Sequence, residues 1–420
     1  MLETLSSSWK LEDLRKKIIF TLVMFLIFRL GAHVPVPGIN PEILKELMRT
    51  GLIFGFFDVI SGGAFKRFTV FAMGIMPYIN ASIIMQLLTV AIPSLERMAK
   101  EGIEGRKKIV QYTRYGTVIL GAIQAVGMSV YLARYNAYLT PSFLNHVVTV
   151  ISLTAGTAFL MWLGELITEK GIGNGISLII FAGIVSRLPG GAYSVYQYLV
   201  SGTASIFSLL LFAFIALVVI AGVVAMHEGE RRISVQYAKR VVGRRVYGGQ
   251  STHIPLKVNQ AGVIPVIFAM SILMFPNTLA SWFPNNTFAQ QVMRFFDFRS
   301  VPYMILYALL IIFFTYFYTA VTFNPQDVAD NMKKYGGFIP GLRPGRPTAE
   351  YIERIMSRIT LSGALFLAFI AVLPNIVMAI TGLNVYFGGT SLLIVVGVAL
   401  ETMKQLEAHL LLRHYQGFMK

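Results

Sequence analysis

The sequence predicts an all-α polytopic membrane protein with ten transmembrane helices in two inverted halves of five. Composition, ten separate apolar runs and the placement of basic residues lead to this prediction. Of the 420 residues, 55% are hydrophobic and 13% are charged, whereas a soluble domain carries roughly 25% charged residues. The chain has no cysteine, which excludes disulfides, thiolate metal sites and cysteine nucleophiles. A soluble fold is excluded as well.

The ten apolar runs approach the length of about 20 residues that a helix needs to cross a bilayer. The first run follows a charged amphipathic stretch, Trp9 to Lys17, and no small-residue cleavage site follows it, so we expect an uncleaved anchor. Glycines and a Leu-Pro-Gly-Gly sequence bound the short fifth run. The predicted spans are 18–36, 68–92, 113–133, 147–167, 174–188, 204–226, 259–283, 301–323, 358–380 and 385–402.

The basic residues set the predicted orientation. The chain has 36 Lys and Arg residues against 20 Asp and Glu residues, a net charge of +16. Most of the basic residues lie in alternate connecting segments and at the two ends. Basic segments stay on the cytoplasmic side of a membrane. Both termini are therefore expected to be cytoplasmic, in a multi-pass protein of the cytoplasmic membrane. A basic excess also favours anionic lipid, nucleic acid or an acidic protein as partners.

Ten spans divide into five and five around the loop at 189–203, which gives predicted halves 1–190 and 191–420. An odd number of spans in each half makes the second half enter the membrane in the opposite direction. Inverted repeats of this kind place a shared path near the bilayer midplane. The arrangement predicts a transport function without identifying what is transported.

Motifs of enzymes and pumps are absent from the sequence: it has no phosphate-binding loop, no H-E-x-x-H and no acid/base or nucleophile constellation. We interpret the glycine-rich run Gly171–Gly175 as a turn at membrane entry, because no strand precedes it. Only Arg29 and Glu165 lie clearly within spans, near ends where snorkelling suffices. We therefore expect no enzymatic activity, no cofactor and no metal, and ion coupling has little support.

The segment Phe54–Phe65 is apolar but only about half a membrane long, and Gly62-Gly63 interrupts it. Backbone of this kind is tolerated at membrane depth only inside protein or a water-filled cavity. A re-entrant piece within a channel is one interpretation. An interfacial amphipathic helix on the outer leaflet is the other, and the pattern does not choose between them.

Two connecting segments, 227–258 and 324–357, are longer and more basic than connectors need to be. Arginine and lysine on protruding loops can bind phosphates of ribosomal RNA or carboxylates of a soluble protein. We favour a docking role. The alternative is that these residues only fix the topology.

Several motifs resemble those of the SecY family, the central subunits of bacterial protein-conducting channels. The similarity extends from about residue 10 to about residue 400. The matching segments are 74–84 (GIMPYINASII), 111–116 (QYTRYG), 171–177 (GIGNGIS), 237–240 (YAKR), 250–259 (QSTHIPLKVN) and 386–394 (YFGGTSLLI).

The resemblance implies a clamshell of two halves around a central hourglass pore, closed at its waist by a ring of six apolar side chains. Within two of the contributing helices the ring residues are spaced i, i+4, on one helix face. A ring of branched alkyl groups excludes water and ions, and it can still give way around a polypeptide. The ring residues implied are Ile75, Ile79, Ile176, Ile180, Ile267 and Ile394.

The resemblance also implies a plug near 54–66 and a lateral gate toward lipid. The gate is expected between the second and seventh helices, near Ile83 and Gln86 on one side and Ser271 and Asn277 on the other. The plug residues implied are Phe56, Phe57, Asp58, Val59, Ile60, Ser61, Gly62, Gly63, Ala64 and Phe65.

By the same resemblance, the two long loops dock the ATPase SecA or the translating ribosome. Arg343 is similar to the arginine on which motor coupling depends. SecE and SecG are implied as small membrane partners, and preprotein signal sequences and membrane lipids as further ligands. The residues expected in docking are Arg240, Arg244, Arg245, Lys333, Lys334 and Arg343.

The function implied is a passive channel that translocates unfolded preproteins and releases hydrophobic segments into lipid. One alternative is an inverted-repeat secondary transporter of a small solute, which the scarcity of intramembrane charge opposes. A second alternative is an insertase or scaffold without a pore.

Overall fold

A computed structural model describes residues 9, 11–43, 58, 61–202, 206–237, 240–242, 245–247, 251–281, 283, 286–297, 300–381 and 389–418. The described part of the chain is mostly helical. Its helices are α1 (Glu12–Gly31), α2 (Met76–Ala91), α3 (Pro93–Lys100), α4 (Ile103–Arg134), α5 (Phe143–Lys170), α6 (Gly175–Val185), α7 (Leu188–Val200), α8 (Ile206–Glu228), α9 (Ile264–Ser281), α10 (Thr287–Phe295), α11 (Val301–Thr322), α12 (Pro325–Lys334), α13 (Arg346–Thr381) and α14 (Gly389–Phe418).

Each predicted span overlaps one of these helices. Among the described residues, six helices are long and apolar enough to cross a bilayer, or seven if the pair α2 and α3, bent by 100°, counts as one span. Helix α9 is apolar but shorter. The chain is therefore a multi-span membrane protein, and the count of ten spans stays a prediction. The six are Ile103–Arg134, Phe143–Lys170, Gly175–Gln197, Ile206–Glu228, Val301–Lys334 and Arg346–Val377.

Two predicted boundaries are wrong. The span predicted at 68–92 becomes helical only at Met76, because Phe68 and Gly74 have φ of 45° and 57°, in the left-handed region. Apolarity marked these residues as membrane-buried but said nothing about their conformation. The connector predicted at 189–203 is largely helix α7, whose Pro189 lies in the first turn, where proline is well tolerated.

Helices approach closely where glycine replaces a side chain. A Cβ on Gly156 of α5 would lie 1.8 Å from the carbonyl oxygen of Val70. Val70 belongs to the turns that precede α2, so the backbone of these turns lies directly against the backbone of α5. The largest buried cluster includes residues of α2, α5, α6, α8, α9, α11, α13 and α14. The core therefore lies where helices from both ends of the sequence meet.

The two long connecting segments form one small unit, although the sequence presents them as separate loops. Strand β1 (Glu230–Tyr237) pairs antiparallel with β4 (Ser251–Lys257) and with β5 (Gly337–Phe338). The short strands β2 (Arg240–Val242) and β3 (Arg245–Tyr247) pair with each other. The buried residues of the unit are Ile233, Val235, Leu256, Met332, Ile339, Ile352 and Met356. We call this unit, 230–257 with 325–356, the sheet platform.

Candidate functional site

The six isoleucines predicted as a ring lie in one hydrophobic cluster. Five of them are buried members of this cluster, at most 6% exposed, and the partly buried Ile176 packs against the cluster. They come from the start of α2 and from α6, α9 and α14. The structure thus brings together residues that are more than 300 positions apart in the sequence. The five buried members are Ile75, Ile79, Ile180, Ile267 and Ile394.

The start of helix α2 fixes the first two isoleucines. Gly74 adopts a φ of 57°, which turns the chain, and Pro77 lies in the first turn of the helix. The backbone N–H of Ile79 donates to the carbonyl of Ile75 over 3.1 Å. Ile75 and Ile79 are therefore one helical turn apart, on the same face.

The start of helix α6 is equally well determined. The side chain of Asn174 caps the helix and accepts hydrogen bonds from the N–H groups of Ile176 (3.1 Å) and Ser177 (3.2 Å). A Cβ on Gly164 of α5 would lie 2.5 Å from Cδ1 of Ile176. In its present conformation, Ile176 therefore occupies the space that a side chain at position 164 would take. The 171–175 run forms the turn between α5 and α6, as predicted.

Helices α2 and α9 meet at Ser271, one of the four residues predicted for the lateral gate. Ser271 and Met76 are both buried, and Ser271 Oγ lies 3.9 Å from Met76 Sδ. This contact joins the two helices directly. The sequence predicted Ser271 as a gate residue but not Met76. The only local feature at Met76 is the Pro77 that follows it, which is typical of the start of a helix.

Within the described part of the chain, the hydrogen bonds of the other predicted gate residues do not join α2 to α9. Ile83 is buried, and Gln86 donates to Ser82 Oγ over 3.5 Å. Asn277 Nδ2 donates to the carbonyl of Phe296 over 3.5 Å, while its buried Oδ1 has no partner among the described residues. No hydrogen bond between Gln86 and Asn277 is present in this part of the structure.

Part of the predicted plug lies outside the described residues, namely Phe56, Phe57, Val59 and Ile60. Asp58 and 61–65 are described. Ser61, Ala64 and Phe65 are at most 4% exposed, and the backbone of 61–65 forms turns, with Gly62 and Gly63 at φ of 66° and 88°. The described part is therefore buried against protein, which argues against the interfacial helix as its structure.

Arg29 does not snorkel, contrary to the expectation from its position near a span end. Its Nη1 donates to the carbonyl of Gly62 over 2.7 Å and to Ser186 Oγ over 3.3 Å. Arg187, which sequence reasoning assigned only to topology, pairs with the buried carboxylate of Asp58. Arg29 could have been identified from the sequence, because a charged side chain within an apolar span has a high free-energy cost and usually has a partner inside the protein.

Glu165 also has a specific partner within the protein, whereas its position near a span end suggested that it would snorkel to the membrane surface. Its two carboxylate oxygens accept from Nε and Nη2 of Arg114, each over 2.9 Å. This bidentate pair joins α5 to α4 and is half exposed on the arginine side. It is a structural link between neighbouring helices.

Five of the six residues expected in docking lie on the described part of the sheet platform. Arg240 and Arg245 lie on β2 and β3, whereas Arg244 lies outside the described residues. Lys333 and Lys334 end α12 and are exposed. Arg343 is exposed in the turn after β5, where its carbonyl accepts from Thr348 Oγ1 over 2.9 Å. In the described part of the chain, no group of three or more His, Asp or Glu side chains is placed to hold a metal ion.

Apolar helices of membrane length packed around a buried aliphatic cluster, with a buried turn segment against it, define a multi-span membrane protein. The sequence model of SecY matches residues 69–403. The chain belongs to the SecY family.

A relative and two solved structures show the extent of the similarity. The protein translocase subunit SecY of Halalkalibacterium halodurans is 51% identical over 431 residues, covering 100% of both chains. A structure described as that of a protein conducting channel has a TM-score of 0.65 at 20% identity, covering 94% of this chain and 92% of its own. Sec61 in the canine ribosome-channel complex has a TM-score of 0.61 at 19% identity, with the same coverage. The last two similarities establish the fold.

Proposed function

We propose that this chain is a passive, gated channel that translocates unfolded preproteins across the membrane and releases hydrophobic segments sideways into lipid. The observation that carries the proposal is the joining of six isoleucines from four separate helix segments in one apolar cluster. A narrow aliphatic constriction loses its water and so resists ions. It offers a passing polypeptide no specific hydrogen bond, which suits substrates of any sequence.

The proposed architecture is a clamshell of ten transmembrane helices, with inverted halves at 1–190 and 191–420. Similarity to solved channels over 94% of the chain supports it. Helix α7 crosses the border between the proposed halves, so this helix would form the hinge. Ile75, Ile79, Ile176 and Ile180 would then come from one half, and Ile267 and Ile394 from the other.

The proposed lateral gate opens between α2 and α9 when an apolar signal sequence partitions there. Ten apolar residues gain about 3 to 6 kcal/mol on entering the bilayer, at about 0.3 to 0.6 kcal/mol each. Moving a gate from 1:99 to 99:1 in favour of opening takes about 5.5 kcal/mol. The hydrophobicity of the substrate is therefore about enough to operate the gate, but not to move the rest of the chain.

An external motor must supply the remaining work. We propose that SecA or the ribosome docks on the sheet platform through Arg240, Arg244, Arg245, Lys333, Lys334 and Arg343. The exposed basic side chains of the platform and the ribosome-bound state of the canine Sec61 structure support this. SecE and SecG are proposed as membrane partners. The proposed location is the bacterial cytoplasmic membrane with both termini in the cytoplasm.

The rival proposal, a secondary transporter of a small solute, receives no support from the relatives described above. Photocrosslinking separates the two functions. A stalled secretory chain should crosslink to a photoreactive residue at Ile79 or Ile394 and not to one at Ile84, which is 46% exposed on α2. Absence of crosslinks at both cluster positions, with normal translocation, would refute the channel proposal.

A further inference from the structure

Asp58 is a buried acid in the described part of the predicted plug. Its side chain is 4% exposed and forms an ion pair with Arg187, whose side chain is 33% exposed. Its Oδ1 also accepts from the backbone N–H of Lys66 over 2.7 Å. A buried carboxylate is tolerated only when it is paired and hydrogen-bonded. The plug segment therefore stays in this position only while Arg187 remains beside it.

A second arginine, Arg29, holds the same segment at Gly62. Arg29 of α1 donates to the Gly62 carbonyl over 2.7 Å and to Ser186 Oγ over 3.3 Å, and Ser186 Oγ in turn donates to the Gly183 carbonyl over 2.8 Å. A Cβ on Gly62 would lie 3.0 Å from the Cα of Gly183. The backbone of the segment thus rests directly on the end of α6.

Helix α6 connects this attachment to the constriction. Ile176, Ile180 and Arg187 are separated by four and seven residues, spacings that place all three near one face of a helix. Arg187 lies two residues beyond the end of α6, in the short turn before α7, and its backbone keeps near-helical angles, with φ of −93° and ψ of −12°. A movement of α6 that widens the ring therefore also moves the cation that holds Asp58.

We propose that Asp58, Arg187 and Arg29 form an ionic latch that keeps the plug segment seated until α6 moves. This inference rests on the proposed channel function and identifies the residues that position its closed state. Displacement of α6 by an entering polypeptide separates Arg187 from Asp58 and Ser186 from Arg29. Arg29 of α1 still holds the Gly62 carbonyl, but the buried carboxylate of Asp58 has lost its cation, and this favours release of the segment. The release involves no change in covalent bonds.

Charge reversal and charge exchange test the latch. The full chain, reconstituted with its membrane partners in vesicles, is compared as parent, Asp58→Arg, Arg187→Asp and the double exchange, with resting ion flux as the readout. We expect each single reversal to raise the flux about tenfold, a moderate effect because Arg187 is one-third exposed. The double exchange should return the flux to within about twofold of the parent. Rescue by the exchange would show that the charge pair, and not the identity of either side chain, keeps the resting flux low.

Two controls keep the outcomes distinct. Lys66→Ala removes an exposed neighbouring cation and should leave the flux unchanged. The pair Ile79→Gly with Ile176→Gly tests the constriction itself: if it leaks while both single reversals stay tight, the latch is refuted and the channel remains. Equal leakage of the single and exchanged variants, with unchanged thermal unfolding, would also overturn the latch.

Discussion

Ser271 Oγ lies 3.9 Å from Met76 Sδ, and both side chains are buried where α9 meets α2. Met76 follows Ile75 of the central cluster directly, and Ser271 lies one helical turn after Ile267 of the same cluster. The Ser271–Met76 contact therefore lies on the same stretches of α2 and α9 as the residues proposed for the constriction. Separating α2 from α9 must disturb both at once.

This contact predicts that a covalent link between the two positions stops the channel. The chain has no cysteine. The double variant Met76→Cys with Ser271→Cys therefore carries two thiols, one at each position, and no others. A short thiol crosslinker should abolish translocation of a secretory preprotein, because the gate can no longer open. The measurement is protease protection of the preprotein in inverted vesicles.

A pair within one helix provides the control for this link. Ser271→Cys with Met274→Cys stays on α9, and crosslinking it should leave translocation unchanged. Full activity of the crosslinked 76–271 protein would contradict the assignment of the gate.

The constriction predicts a leak when its side chains are removed. Ile79→Gly with Ile176→Gly should raise the ion conductance of resting vesicles by about tenfold or more, because water refills a widened apolar waist. Glycine also weakens helices by about 1 kcal/mol per site. The matched control is therefore Ile84→Gly with Ile123→Gly, two isoleucines that are 46% and 50% exposed. Equal conductance of the two double variants would refute the seal.

Sequence reasoning located the apolar helices well, because hydrophobic runs of membrane length have few alternatives. It failed at Phe68–Ile75, where apolar residues form turns. Left-handed backbone at Phe68 and Gly74 leaves no trace in hydropathy. It also failed at α7, where Pro-Gly-Gly suggested a loop although proline in a first turn fits a helix.

The site could be predicted only in part. The i, i+4 spacing of Ile75 and Ile79 put them on one face, but only the family resemblance distinguished that face from a lipid-facing one. The partners of Arg29 and Asp58 could not be inferred, since Arg29 and Gly62 are 33 positions apart and no local pattern links them. Pairing of the two long loops, Gln236 with Phe338, likewise depends on tertiary contact.

The sheet platform predicts a cost for truncating its core. Ile352 of α13 is 0% exposed among the platform's buried residues. Ile352→Ala should destabilise the platform by about 2–5 kcal/mol, through lost burial and the cavity left behind. Limited proteolysis within 230–257 should then become faster. Ile103→Ala, at a position 75% exposed, should leave the cleavage rate unchanged, and equal rates in both variants would contradict a shared core.

Arg343 provides the last prediction, which concerns motor coupling. Its side chain is exposed, and Thr348 Oγ1 fixes its carbonyl over 2.9 Å, so the guanidinium projects from a held turn rather than a free loop. Arg343→Glu should abolish translocation driven by SecA and ATP while leaving the thermal unfolding of the protein unchanged, because no ion pair within the described residues involves this side chain. Arg354→Glu, an equal charge change at an exposed position on α13, should retain most of the activity. If the two variants translocate equally well, docking does not depend on Arg343. If both are inactive, the motor responds to the overall charge of the platform rather than to this residue.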